Sequence, residues 1–229
     1  MLDELRQRVC RANLDLVAAG LVTLTWGNVS GIDRESGRVV IKPSGVDYEK
    51  LTPENMAVVD LDGAIVAGDL RPSSDTPTHL ELYRSWPDVG GIVHTHSLSA
   101  TAFAQACRPI PPLGTTHADA FFGEVPLTRP LSRDQVRQDY EINTGKVIVE
   151  RFAELDVGAV PAVLVANHGP FTWGQSPAAA VKMAVILEQV ARMALQTLQI
   201  RSETPPLAQH ILAKHYTRKH GPDAYYGQK

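Results

Sequence analysis

The sequence predicts an α/β protein, specifically a three-layer α/β/α sandwich with a central mixed, largely antiparallel sheet. Three observations support this prediction. Short apolar segments separated by turn sequences near the N-terminus predict hairpins, whose strands are antiparallel. Further along, short strands alternate with segments that carry apolar residues at helical spacing, which predicts helices on both faces of the sheet. At 229 residues, of which 44% are hydrophobic, the chain is long enough to bury a sizeable core.

The N-terminal part of the chain is predicted to contain one helix and a group of strands. Apolar residues recur at helical spacing over residues 2–19, and Gly20 follows as a C-terminal cap. The turn sequences DRESG and LDG then mark hairpins, because aspartate and glycine favour tight turns. The predicted strands of this part lie at 29–32, 38–42 and 57–67.

The rest of the chain is predicted to be mainly helical. Thr76-Pro77 and Ser176-Pro177 each begin a helix, because proline is favoured in the first turn and a hydroxyl residue before it can cap. The segment AVLVAN is apolar and short, as expected of a buried strand. Helices are predicted at 76–86, 97–107, 142–154, 177–200 and 207–219, and this strand at 162–167.

The composition excludes several classes of function. Lys and Arg total 22 against 25 Asp and Glu, so the formal charge is −3 and no nucleic-acid partner is expected. No signal-peptide pattern or apolar run of about 18 residues occurs, so we expect no membrane partner. Cys10 and Cys107 form no CxxC pair, which favours reduced thiols in the cytoplasm. Because no linker or repeat interrupts the pattern, one domain over residues 1–229 is expected.

Four residues could form a metal site. His94 and His96, in GGIVHTHS, point to the same face of a predicted strand, because side chains alternate along a strand. His168 ends a buried strand, and Asp75 precedes a predicted helix. Each has a structural alternative: a polar strand face for the pair, a turn histidine for His168 and an N-cap for Asp75. Together, three neutral imidazoles and one carboxylate would leave a divalent ion positively charged, which suits a Lewis acid.

Several motifs in a fixed order resemble the class II aldolase and adducin-like family. The resemblance extends from the first helix to the C-terminal tail, and the set is far more specific than any single motif. The motifs are LTWGNVSG (24–31), IKPSGVDY (41–48), RPSSDTPTH (71–79), GGIVHTHS (90–97), GTTHAD (114–119), NHGPFTWG (167–174), KHYTRKHG (214–221) and AYYGQ (224–228).

The resemblance implies a Zn²⁺ ion held by Asp75, His94, His96 and His168, although Mn²⁺ or Co²⁺ could occupy such a site. Related aldolases of the family place a glutamate near the Asp75 position, where it can also act as acid or base. The shorter aspartate is closer to a pure ligand role and favours epimerase activity. One departure is Ala166, where similar epimerases can carry a further histidine.

The implied substrate is a small phosphorylated ketopentose, and the implied reaction interconverts L-ribulose 5-phosphate and D-xylulose 5-phosphate at C4. C4 lies one bond too far from the carbonyl for simple deprotonation. Retro-aldol cleavage of C3–C4 through a metal-stabilised enediolate, followed by re-addition to the other face of the aldehyde, can invert it. The sequence leaves open whether the reaction serves arabinose or ascorbate catabolism.

The resemblance also assigns the remaining site residues. Asp119 and Tyr226 are the implied proton-transfer pair, although Tyr226 alone could be a packed tail aromatic. Small and polar turn residues suit a phosphate, whereas without the resemblance each is an ordinary turn residue. The implied substrate-binding residues are Gly27, Asn28, Lys42, Ser44, Gly45, Ser73 and Ser74, with Thr115, Glu141, His215 and Arg218 lining or supporting the site. The family is tetrameric, so a homotetramer with active sites shared between subunits is expected.

Two alternatives remain open beside the epimerase. A class II sugar-phosphate aldolase would use the same cation and release its fragments. A non-catalytic adducin-like interaction module is the alternative from another functional class, and it should have lost metal ligands that this chain retains. An NAD-assisted route is set aside, because no GxGxxG motif follows a predicted strand.

Overall fold

A computed structural model describes residues 2–222 and 224–226. The strands that it contains are Asn28–Asp33 (β1), Arg38–Ile41 (β2), Ala57–Val59 (β3), Ile65–Ala67 (β4), Gly91–His94 (β5), Ala162–Leu164 (β6) and Pro170–Gly174 (β7). The helices are Leu2–Ala18 (α1), Thr76–Ser85 (α2), Leu98–Gln105 (α3), Thr115–Ala118 (α4), Arg133–Arg137 (α5), Tyr140–Arg151 (α6), Pro177–Ile200 (α7) and Gln209–Thr217 (α8). Short 3₁₀ turns occupy Tyr48–Lys50 and Pro53–Asn55.

The strands form one sheet in the order β4-β3-β2-β1-β5-β7-β6, and every neighbouring pair is antiparallel. The largely antiparallel sheet is therefore confirmed, whereas the mixed part of the expectation was wrong. The one parallel pairing among the described residues is an isolated bridge between Leu127 and Leu164. The sheet is antiparallel throughout because β7, a strand that was not predicted from the sequence, lies between β5 and β6 and pairs antiparallel with both.

Helices cover both faces of the sheet, which confirms the three-layer architecture. Alternate residues of β5 face opposite layers: Val93 packs in a cluster with residues of α1 and α7, and Ile92 packs in a cluster with residues of α2. Leu16 of α1 and Ala184 of α7 belong to the first cluster, and Tyr83 of α2 belongs to the second. This alternation is the period of two that a strand imposes on its side chains.

The guanidinium of Arg34 holds the connection between α2 and β5 in place. Arg34 donates hydrogen bonds to the carbonyl oxygens of Tyr83 at 2.8 Å and of Trp86 and Val89 at 2.7 Å. These carbonyls lie at the C-terminal end of α2 and just after it, where the helix leaves its last acceptors without backbone partners. The arginine therefore holds the segment that leads into β5.

Most of the predicted elements are present with small changes at their ends. The predicted strand 57–67 contains two strands, β3 and β4, separated by the LDG turn. Besides β7, the short helices α4 and α5 were not predicted, because four and five residues are too few to show a clear apolar period. No helix in the described part of the chain has both the length and the apolar character needed to cross a membrane.

Candidate metal centre

Three imidazoles converge at one end of the sheet. His94 is the last residue of β5, His96 follows two residues later, and His168 lies in the turn between β6 and β7. One ligand-capable nitrogen from each ring lies within 4.8 Å of the corresponding nitrogens of the other two, and Nε2 of His94 is 3.1 Å from Nε2 of His96. The pairing of β5 with β7 places His94 opposite Phe171 and so brings the β6–β7 turn beside β5. The sheet thus assembles nitrogen donors from distant parts of the chain.

The tautomer of His94 is set by a backbone carbonyl. Its Nδ1 lies 3.0 Å from the carbonyl oxygen of Pro170, which can only accept a hydrogen bond. In the neutral ring Nδ1 therefore carries the proton, and Nε2 presents a lone pair toward His96. His94 is 1% exposed, and its ring stacks on Phe171 at 4.3 Å between ring centres. A histidine held in this way has the usual arrangement of a metal ligand.

The other two imidazoles are also kept in the form that binds a cation. Burial, followed by the nearby His94 and His96 rings, lowers the pKa of His168 to about 4. Burial and His94 lower the pKa of His96, although Asp75 acts in the opposite direction. Both rings are thus neutral near pH 7, with lone pairs available. The close approach of neutral imidazoles fits a divalent cation that prefers nitrogen ligands, and zinc is one such cation.

Asp75 lines the same cavity but lies outside the set of three convergent histidines. It occupies the residue before α2, yet its side chain makes no capping hydrogen bond. Instead Oδ2 accepts a hydrogen bond from Nδ2 of Asn28 at 2.7 Å. Burial raises the pKa of Asp75, but His94, His79 and the Asn28 hydrogen bond outweigh it, so the net shift is downward. The carboxylate is therefore ionised and faces the histidine side of the cavity.

The histidines open into a cavity of about 650 Å³. The side chains and glycines assigned from the sequence to the phosphate all line it, together with Glu141. Residues that the sequence analysis assigned to the site and that line this cavity are Gly27, Asn28, Lys42, Ser44, Gly45, Ser73, Ser74, Asp75, His94, His96, Glu141 and His168. Cavity residues that it did not single out include Thr25, Trp26, Pro43 and Tyr140.

Two loops that supply these small residues are tied together by backbone hydrogen bonds. The Ser44 amide donates to the carbonyl of Arg71 at 2.9 Å, and the Ser73 amide donates to the carbonyl of Lys42 at 3.0 Å. Lys42 is 2% exposed, and its Nζ donates to the carbonyl oxygen of Val46 at 2.7 Å. Burial lowers the pKa of this lysine, with Asp47 acting in the opposite direction. The cavity therefore combines hydroxyls, glycines and a buried cation, a donor set that suits an anion.

Five of the assigned residues lie elsewhere and form what we call the Asp119 cluster: Thr115, Asp119, His215, Arg218 and Tyr226. None of them lines the cavity around the histidines. Arg218 donates to both carboxylate oxygens of Asp119 at 3.0 and 2.7 Å, and His215 Nδ1 lies 3.0 Å from Oδ1. The Asp119 amide donates to the carbonyl of Thr115 at 2.9 Å. The structure thus separates the assigned residues of one chain into two groups.

Lys219, which was not assigned to the site from the sequence, contacts the Asp119 cluster. Its Nζ is 3.1 Å from Oδ2 of Asp119 and 4.3 Å from the ring centre of Tyr226. Burial raises the pKa of Asp119, but hydrogen bonds from Arg218, His215 and Lys219 outweigh it and lower the pKa to about 2. Tyr226 is 62% exposed and lies over the Arg218 guanidinium. The last two residues of the AYYGQ motif lie outside the described residues.

Comparison with known proteins identifies the family. Residues 7–195 match the Class II Aldolase and Adducin N-terminal domain. The chain therefore belongs to the class II aldolase and adducin family, as the motifs predicted. Among its curated relatives are the L-ribulose-5-phosphate 4-epimerases UlaF of Salmonella paratyphi B and Salmonella typhi. Each is 55% identical over 228 residues, which cover 100% of both chains.

Solved structures show the same fold. An L-fuculose 1-phosphate aldolase superimposes with a TM-score of 0.80 at 26% identity, covering 94% of this chain and 95% of that one. YgbL from Escherichia coli superimposes with a TM-score of 0.73 at 29% identity, covering 93% and 98%. The fold predicted from the sequence is thus confirmed by structures of this family.

Proposed function

We propose that this protein is a metal-dependent epimerase that interconverts L-ribulose 5-phosphate and D-xylulose 5-phosphate at C4. The observation that carries the proposal is the cavity, in which three imidazoles converge beside hydroxyls, glycines and a buried lysine. The full-length similarity to proteins named L-ribulose-5-phosphate 4-epimerase supports the epimerase over the other activities of the family.

The proposed cation is Zn²⁺, held by His94, His96 and His168 with Asp75 as the fourth ligand. Mn²⁺ or Co²⁺ could use the same donor set. A bound divalent cation supplies Lewis-acid stabilisation for negative charge that develops on the ketone half of the sugar. The Pro170 carbonyl keeps the lone pair of His94 available, and Asn28 holds the carboxylate of Asp75 in place.

The phosphate is proposed to bind between the two tied loops. The hydroxyls of Ser44, Ser73 and Ser74 and the amide of Gly45 can approach phosphate oxygens closely, and Lys42 supplies a positive charge. Asn28 lies between this region and Asp75, because its Nδ2 also lies 3.1 Å from Oγ of Ser73. This placement would orient the substrate with its phosphate on the loops and its carbonyl end toward the histidines.

Inversion at C4 requires that the C3–C4 bond break and re-form, because the hydrogen on C4 is not acidic. The aldehyde fragment must turn before re-addition, and a proton must leave and return at the C4 oxygen. Asp119 and Tyr226 are the proposed groups for this transfer. Since neither lines the cavity of its own chain, they would be supplied by another copy, in a homotetramer with shared active sites.

The proposal predicts a single sugar product from L-ribulose 5-phosphate. Incubation with the metal-loaded protein should yield D-xylulose 5-phosphate without accumulation of glycolaldehyde phosphate, because the fragment is recaptured before release. Both compounds are measured by coupled enzyme assay or NMR. Stoichiometric glycolaldehyde phosphate would favour the aldolase alternative. If neither D-xylulose 5-phosphate nor glycolaldehyde phosphate formed, the adducin-like interaction module would be favoured.

The cleavage scheme also predicts the fate of the hydrogen on C4. When the reaction is run in D₂O, C4 should keep its own hydrogen, because the C4–H bond stays within the aldehyde fragment throughout. C3 should show little exchange if the intermediate is shielded from solvent. NMR of the product measures both positions. Substantial deuterium at C4 would contradict carbon–carbon cleavage and support a deprotonation route.

A single domain over residues 1–229 and a cytoplasmic location stay predictions. The fold and the family match are compatible with both.

A further inference from the structure

Tyr140 is a cavity residue that the sequence analysis did not single out. It is the first residue of α6, and its side chain is half-buried against the histidines. Its hydroxyl oxygen lies 3.4 Å from Nδ1 of His168, and the two rings are 6.2 Å apart between centres. Among the described contacts, this is the one hydrogen-bond partner of the His168 ring. The proton on that ring is therefore linked to the orientation of the tyrosine hydroxyl.

The position of Tyr140 is fixed by the packing of α6 against α2. Thr78 of α2 donates its hydroxyl to the carbonyl of Glu141 at 2.6 Å. One turn further, a Cβ at Gly145 would lie 2.6 Å from Cβ of Glu81, so only glycine allows the two helices to approach so closely. Because α2 begins directly after Asp75, this packing brings the start of α6 to the same end of the sheet as the histidines.

The hydrogen bond between Tyr140 and His168 can be arranged in two ways. If the tyrosine donates its proton to Nδ1, the neutral ring carries its hydrogen on Nε2, and neither nitrogen has a free lone pair. If Nδ1–H donates to the tyrosine oxygen, Nε2 is free to coordinate a cation. Only the second arrangement is compatible with His168 as a ligand.

We propose that Tyr140 is a positioning residue for the metal centre: its hydroxyl oxygen accepts the Nδ1 proton of His168 and so keeps Nε2 available to the cation. Pro170 does the same for His94 through its backbone carbonyl. The inference rests on the proposed metal site, and it adds a side chain whose contribution can be removed by mutation. Orienting partners of this kind usually contribute about 10- to 100-fold to metal affinity.

The test measures cation affinity rather than turnover. Co²⁺ is titrated into the metal-free full-length protein, its visible absorption is recorded, and its affinity is obtained by competition with a chelator. Tyr140→Phe should bind Co²⁺ about 10- to 100-fold more weakly and show an altered visible spectrum. Tyr225→Phe, which removes the hydroxyl of an exposed tyrosine away from the cavity, should bind as the unaltered protein does.

His96→Ala separates the inference from the site on which it rests. If His96→Ala loses Co²⁺ and Tyr140→Phe binds normally, the metal site stands and the role of Tyr140 is overturned. If His96→Ala binds Co²⁺ as tightly as the unaltered protein, the proposed metal site itself is wrong.

A measurement on the unaltered protein decides the case even if Tyr140→Phe does not fold. Neutron diffraction from crystals of the zinc-loaded protein locates the hydrogens of His168 directly. The inference requires hydrogen on Nδ1, directed at the oxygen of Tyr140. Hydrogen on Nε2, or a tyrosine turned away from the ring, would overturn it.

Discussion

Replacing His96 with alanine is expected to abolish stoichiometric cation binding and, with it, the epimerase activity. The substitution removes one of three convergent nitrogens and opens the ligand shell, so the affinity loss should exceed the roughly hundredfold cost of losing an orienting partner. Metal analysis of the purified variant and the L-ribulose 5-phosphate assay measure the two effects.

The matched control for this variant is His210→Ala. His210 is an exposed histidine of α8 and does not line the cavity, so its removal should leave both metal content and activity unchanged. If His96→Ala kept stoichiometric zinc and normal turnover, the three imidazoles would have to be explained as a structural cluster.

Asp119→Asn and Tyr226→Phe are each expected to lower turnover by about two to four powers of ten, the usual range for a proton-transfer group. Neither change alters the size of the side chain much. The ionised carboxylate of Asp119 is the form that accepts a proton, and Tyr226→Phe keeps the ring that lies over Arg218 and Lys219. Turnover is measured with saturating substrate, and thermal denaturation shows whether the fold is retained.

The controls remove the same chemical groups elsewhere. Asp134→Asn changes an exposed carboxylate of α5, and Tyr225→Phe changes the neighbouring exposed tyrosine. Both should keep normal turnover. Near-normal rates in both Asp119→Asn and Tyr226→Phe would place the proton-transfer groups elsewhere. If Asp119→Asn also lost thermal stability, its lower turnover would be explained by the broken ion pairs with Arg218, His215 and Lys219.

The parts of the fold that could be predicted are those with a local signal. The spacing of His94 and His96 predicted that the two imidazoles meet, and they do, although β5 ends at His94 and His96 lies just beyond the strand. Thr76-Pro77 marks the start of α2 within one residue. β7 was missed because its sequence, PFTWG, begins with proline and ends with glycine, two residues that usually argue against a strand. The strand forms because its neighbours β5 and β6 offer hydrogen-bond partners on both sides. That information is not in the segment itself.

The residues of the candidate site also divide into those with a local sequence signal and those without one. Apart from Tyr140 and Glu141, the cavity residues belong to the motifs, which are short segments whose members stay together after folding. Tyr140 carried no signal, because it reaches His168 only through the packing of α6 against α2. The separation of Asp119 from the cavity could not be predicted from spacing either, because it depends on where α4 and α8 pack.

The placement of the histidines on β5 and on the β6–β7 turn also has a consequence for folding. A cation bound by all three would act as a cross-link between segments that are far apart in the chain, and it would bind the unfolded chain much more weakly. Its binding free energy would therefore appear as free energy of unfolding. The end of the sheet that carries the chemistry would then resist opening more strongly with the cation bound than without it.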